Sequence, residues 1–129
     1  FGFQVAVDEF DNIIYEEEKL LIAALDVDLE TVAEKVISMG GVFIPAHIDK
    51  SKNSIFSQLG FIPFDLKYSA LEISWRTTIE KFIEKYPKLE NEKFIRCSDA
   101  HYLEDIGKVY TWLKMEKPDW QNFVKEFVP

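Results

Sequence analysis

Three short apolar runs, Val42-Phe43-Ile44, Ala70-Leu71-Glu72-Ile73 and Phe94-Ile95, recur along the chain with segments of helical period between them. That alternation constrains the fold more than any other feature, because strands separated by helices pair in parallel through right-handed crossovers. The first helix is expected after Asp28, a side chain suited to an N-cap, with Leu29, Val32, Ala33, Val36 and Ile37 on one face and Gly40 as its stop. A short helix is expected from Asn53 to Leu59, closed by Gly60, with a connection over 61–65 that contains Pro63. A third is expected from Thr77 to Tyr86, turning Ile79, Phe82, Ile83 and Tyr86 inward before Pro87 ends it. Val109 to Met115 alternates as a fourth strand, and Asp119 caps a last helix with Trp120, Phe123, Val124 and Phe127 inward. At the other end, Phe3, Val5 and Val7 alternate with polar or small residues, turn chemistry follows at 8–12, and Ile13-Ile14-Tyr15 resumes, which reads as a β-hairpin. The stretch from Glu16 to Leu25 suits a short helix with acids in its first turn or, equally, a buried strand.

Composition sets the outer limits. A chain of 129 residues with 47% hydrophobic content can bury one core and forms a single domain. Fifteen Lys and Arg against 23 Asp and Glu give a net charge of -8, which repels phosphate backbones and anionic membranes. No window offers the roughly 20 apolar residues of a membrane span, and nothing has the form of a secretory signal. Cys97 is the single cysteine, so no internal disulfide and no CxxC site exist, and the reducing cytoplasm is the expected location. The sequence opens at Phe1, inside what reads as a strand, so further residues are expected to precede it.

In α/β folds the reactive groups gather beyond the C-terminal ends of the strands. Pro45 cannot donate to a sheet ladder, so the strand at 42–44 ends there and His47 falls in the loop beyond. Asp99 and His101 follow Phe94-Ile95 in the same way, and these two histidines are the only ones in the chain. Imidazole and carboxylate together suit zinc, manganese or iron. The bland alternative has Asp99 capping a helix, His101 packing on Tyr102 and His47 satisfied in its loop. Glu72 is an acid at the end of a buried strand and must be paired, solvated or set beside a cation, a supporting group rather than a direct ligand. Arg96 and Ser98 flank the Asp-His loop and have the chemistry to orient a phosphate, as surface charge and helix-start residue do elsewhere without any such role. Lys50 and Lys52 stand after His47 as an anion-attracting rim or as ordinary solvated lysines. There is no Gly-rich phosphate loop and no GxSxG elbow, and Cys97 lacks the positive surroundings of a nucleophile.

Gly-Gly-Val-Phe-Ile-Pro-Ala-His at 40–47, Ser57-Gln58-Leu59-Gly60-Phe61-Ile62-Pro63, Ala-Leu-Glu-Ile at 70–73 and Ser-Asp-Ala-His at 98–101 resemble, in order and spacing, the PHP (polymerase and histidinol phosphatase) superfamily. The resemblance implies a distorted (β/α)7 barrel that binds two or three divalent metals at the ends of its strands and hydrolyses phosphoesters. It implies that His47, Asp99 and His101 are metal ligands. It also implies that residues 1–129 form the C-terminal portion of such a barrel, mostly parallel strands with covering helices plus the hairpin, because the family's opening His-x-His pair has no counterpart here. The expected function is therefore part of a metal-dependent phosphoesterase acting on a phosphorylated substrate, with little activity in isolation. A noncatalytic PHP-like module for protein interaction or for sensing a phosphorylated ligand is the alternative. A role on nucleic-acid ends is disfavoured by the charge, and exposed strand edges make a homodimer the expected self-association.

Overall fold

The computed structural model describes residues 2–127. It is a mixed α/β arrangement with few, short strands: β1 (Val5–Val7), β2 (Ile13–Glu16), α1 (Leu29–Ser38), α2 (Ile55–Leu59), β3 (Leu71–Glu72), α3 (Ile79–Lys85), β4 (Phe94–Ile95) and α4 (Trp120–Lys125), with 3-10 turns at Pro87–Leu89 and Leu103–Asp105.

The helices follow from their caps. Asp28 accepts from the Thr31 N–H, Thr78 from Lys81 and Asp119 from Asn122, each satisfying an otherwise orphaned first-turn donor. At α2 the caps are reciprocal: Ser54 Oγ accepts from the Ser57 N–H, and the Ser54 N–H donates to Ser57 Oγ. Gly60 then closes α2 in the left-handed region at φ 79°. Pro87 has no N–H to continue α3 and opens the following 3-10 turn instead.

The strands depart from expectation. β1 and β2 pair antiparallel as the expected hairpin, with an irregularity between Ala6 and Val7, while β3 and β4 pair in parallel through Leu71–Phe94 and Glu72–Ile95. Among the described residues the strands are thus not mostly parallel; one pair runs each way. The reasons are local. Residues 42–45 run beside β3, with the Phe43 and Pro45 carbonyls accepting from the Ser69 and Glu72 N–H groups, but Pro45 has no N–H to return and no regular strand forms. The segment 109–115 makes no strand either. Where it passes β4, the Thr111 hydroxyl takes the Arg96 N–H at 2.7 Å and donates to the Arg96 carbonyl at 2.9 Å, so a side chain stands where a backbone ladder was expected. Residues 17–25 form turns, neither helix nor buried strand, with the Gln4 side chain holding Glu17, Lys19 and Leu21.

The core lies under β3 and β4. Ile48, Leu71, Ile73 and Phe82 are buried together, and Phe56, Tyr86 and Phe94 pack against them. Phe82 is the centre of that aromatic group, with ring centroids 6.0 Å from Phe56, 4.8 Å from Tyr86 and 5.9 Å from Phe94. Phe127 is buried as expected, whereas Trp120, expected inward, is exposed. Its ring stacks on Phe123 at 5.5 Å, an intrahelical contact that leaves its outer face in solvent.

Candidate functional site

Three chain segments bring the expected residues to one end of the β3–β4 pair: the turn after Pro45, the end of β3, and the loop after β4. Glu72 is the joint between them. Its backbone N–H donates to the Pro45 carbonyl at 3.1 Å and its carbonyl accepts from the Ile48 N–H at 2.8 Å, so the turn carrying His47 is held on both sides by one residue. Its carboxylate adds two more bonds. Oε2 accepts from the His47 backbone N–H at 3.1 Å, and Oε1 accepts from the Cys97 thiol at 3.1 Å. Desolvation of the sulfur first, and the Glu72 charge after it, push the Cys97 thiol up to about 11. It therefore stays protonated and serves as a donor, not a nucleophile.

His47 and Asp99 both sit in the left-handed region, at φ 32° and φ 50°. For non-glycine residues such backbones cost about 1–3 kcal/mol each and persist where the surroundings over-determine them, commonly at functional sites. Asp99 Oδ2 accepts from Lys50 Nζ at 2.8 Å. That ammonium, followed by the positive fields of His101 and His47, holds the Asp99 carboxyl below the ordinary carboxylate range. Asp99 is thus within electrostatic reach of both histidines. His101 Nδ1 lies 2.7 Å from the Asp99 carbonyl oxygen. A carbonyl can only accept, so Nδ1 carries a proton, and in the neutral form of the ring Nε2 keeps its lone pair free to bind. His47 Nδ1 is buried with no hydrogen-bond partner among the described residues.

Ser98, Asp99 and His101 line a cleft of about 560 Å3 together with Lys50, Trp75 and Arg76. His47, Glu72 and Arg96 stand outside that lining. The Ser98 hydroxyl accepts from the Gly107 N–H at 3.3 Å, and the Arg96 guanidinium turns away to the Trp75 carbonyl at 3.4 Å, with its Nε buried and unpaired among the described residues. Arg76 lies over the Trp75 ring at 5.2 Å, a cation on the cleft wall that the sequence offered no signal for. Asp49 was also missed. Its carboxylate accepts from the Ser74 N–H and from the Ser74 hydroxyl, each at 2.6 Å, pinning the residues beyond His47 to the end of β3.

The donor set fits a divalent ion in chemistry: two imidazoles with available nitrogens, one of them an orphaned buried atom, and a carboxylate. Their present arrangement does not close around one. Among the described residues no three His, Cys, Asp or Glu side chains are grouped to hold a metal ion, and Asp99 is engaged by Lys50.

Among the described residues no helix is long and apolar enough to cross a membrane. Comparison with known proteins adds a family. The uncharacterized protein YqxK of Bacillus subtilis (strain 168) is 33% identical over 97 residues, a stretch that covers 70% of this chain and 24% of that protein. The chain therefore spans about a quarter of the length of the curated relative it matches. No solved structure matches it. A family model described as PHP-associated matches residues 94–127, the stretch that runs from β4 through Asp99 and His101 to the end of α4. The C-terminal portion of the chain is PHP-associated.

Proposed function

We propose that this chain supplies part of the metal centre of a PHP-type phosphoesterase, with His47, Asp99 and His101 as ligands and the β3–β4 pair as a piece of a distorted (β/α)7 barrel. The observation that carries this reading is the meeting of the two histidine-bearing loops at one end of the β3–β4 pair, tied by the Glu72 carboxylate and by the Lys50–Asp99 ion pair. There the Asp99 carbonyl holds His101 Nδ1, so that Nε2 faces away from that contact. A divalent zinc, manganese or iron ion, when bound, would polarise a phosphoryl oxygen and lower the pKa of a coordinated water. The chain's own residues have the supporting tasks. His101 Nε2 and the orphaned His47 Nδ1 offer nitrogens, Asp99 offers a carboxylate kept ionised by Lys50, and Arg76 and Ser98 on the cleft wall are suited to an incoming phosphate. The reducing cytoplasm suits the protonated thiol of Cys97, and a second copy of the chain is the proposed partner through exposed strand edges.

The test is metal binding by the chain itself. Zinc or manganese should bind with a stoichiometry near one, and His47→Ala and His101→Ala should each weaken binding about 10-fold or more, measured by calorimetry. Binding unchanged in both variants, or none in the unaltered chain, would overturn the assignment.

One observation favours a second reading, a noncatalytic module that senses a phosphorylated ligand. Lys50 already places a cation against Asp99 at 2.8 Å, occupying the carboxylate oxygen that the metal reading needs free. In that case inorganic phosphate binds without added metal, and Lys50→Ala abolishes binding.

A further inference from the structure

We infer that Glu72 is the positioning residue of the site, a clamp whose two carboxylate oxygens hold the His47 turn and the Cys97–His101 loop in one fixed relation. Its bearing on metal binding rests on the function proposed above, but the clamp itself is a property of the fold. One oxygen takes the His47 N–H and the other takes the Cys97 thiol, each at 3.1 Å. A second tie joins the same segments from the other side: Lys50, whose backbone N–H donates to the His47 carbonyl at 3.0 Å, reaches Asp99 with its ammonium at 2.8 Å, so Glu72 differs in gripping both segments through one carboxylate. The backbone of Glu72 repeats the grip: it bonds to Pro45 and Ile48 on one side and pairs with Ile95 on the other. A carboxylate is the right group because both of its oxygens accept and both partners are donors. The Cys97 thiol supplies the second of the two donors.

The strain at His47 gives the clamp something to do. At φ 32° the residue relaxes toward an ordinary backbone once its N–H is released, and the imidazole then swings away from Asp99. Cys97 lies two residues before Asp99, so loss of the thiol bond loosens the second loop in the same way.

Glu72→Gln is isosteric but offers one acceptor where two are needed. The chain has only two histidines, so its imidazole signals in a long-range proton–nitrogen spectrum are readily assigned, and they report on both loops without any metal. Glu72→Gln, with an unchanged circular dichroism spectrum, should move the His47 and His101 signals. Cys97→Ala should move His101, and Cys97→Ser, which restores a donor, should return it to the unaltered position. Rescue by a serine that differs only in the donor atom is not expected of a residue that merely fills space. Folded Glu72→Gln with both signals unmoved overturns the clamp. Where Glu72→Gln fails to fold, identical His101 signals in Cys97→Ala and Cys97→Ser overturn it instead. Divalent cobalt, followed by its visible absorption, should bind Glu72→Gln about 10-fold more weakly than the unaltered chain. Equal affinity removes the clamp from the metal centre. Absence of cobalt binding in the unaltered chain defeats the metal reading and leaves the imidazole signals to decide the clamp.

Discussion

Two carboxylates near the end of β3 do different work because their partners differ. Glu72 joins two loops through single bonds, whereas both oxygens of Asp49 close on one residue, Ser74, which is only 2% exposed. Removing the Asp49 carboxylate leaves a buried N–H and a buried hydroxyl without acceptors. Each orphaned group costs about 1–3 kcal/mol, so Asp49→Ala should lose roughly 2 kcal/mol or more in urea unfolding, with Asp49→Asn in between because one oxygen remains. A loss below about 0.5 kcal/mol would mean that water replaces the carboxylate freely. At this scale the loop positions of His47, Asp99 and His101 were legible because rare residue types stood just past apolar runs; their role as ligands belongs to the proposed function. Asp49 and Arg76 were not, and Lys50 was read as rim or solvated charge rather than as the partner of Asp99, since an acid or a base on a polar loop carries no mark of its partner until the loop is folded. Glu72 was legible as an acid in need of a partner, but not which partners it had.

The helices were legible almost to their caps because each signal is local: a side chain two or three residues away decides whether a helix starts. The adjacent glycines at 40 and 41 show how far that goes. Gly40 follows α1 in the left-handed region at φ 76°, the stop read from the sequence. Gly41 is needed for another reason. A Cβ there would meet Val36 Cγ1 at 2.8 Å and the Val36 carbonyl oxygen at 2.9 Å, and its N–H bonds to that same carbonyl. Gly41→Ala should therefore destabilise the chain by roughly 1–3 kcal/mol, as overpacking against backbone does, with a lowered thermal midpoint as the readout. An unchanged midpoint would show that the 41–45 segment shifts at no cost. Strands were harder to read, for a physical reason. Whether 42–44 or 109–115 becomes a strand depends on hydrogen bonds to segments far along the chain, and Pro45 and Thr111 redirected them. Phe94-Ile95, with a partner at β3, formed as read.

At the scale of the molecule, burial is uneven. The core under β3 and β4 is small, while the hairpin exposes every residue of both strands and Phe3, Phe64 and Trp112 are at least 86% exposed. Apolar side chains and the outer edges of the hairpin, unpaired by any strand among the described residues, favour self-pairing, since an edge is complementary to its own copy across a twofold axis. A net charge of -8 opposes it. These two forces respond differently to salt: screening over a Debye length of about 10 Å at 0.1 M, and about 3 Å at 1 M, removes the repulsion and leaves the apolar attraction intact. Self-association should therefore rise with protein concentration and rise further with ionic strength. Ile14→Lys in β2, which puts a charge on the hairpin, should reduce it. Light scattering and sedimentation at low and high salt make the comparison. An assembly that falls apart as salt is added would be held by ion pairs rather than by the hairpin, and a monomer throughout would mean that the exposed apolar residues are too scattered to bind a second copy.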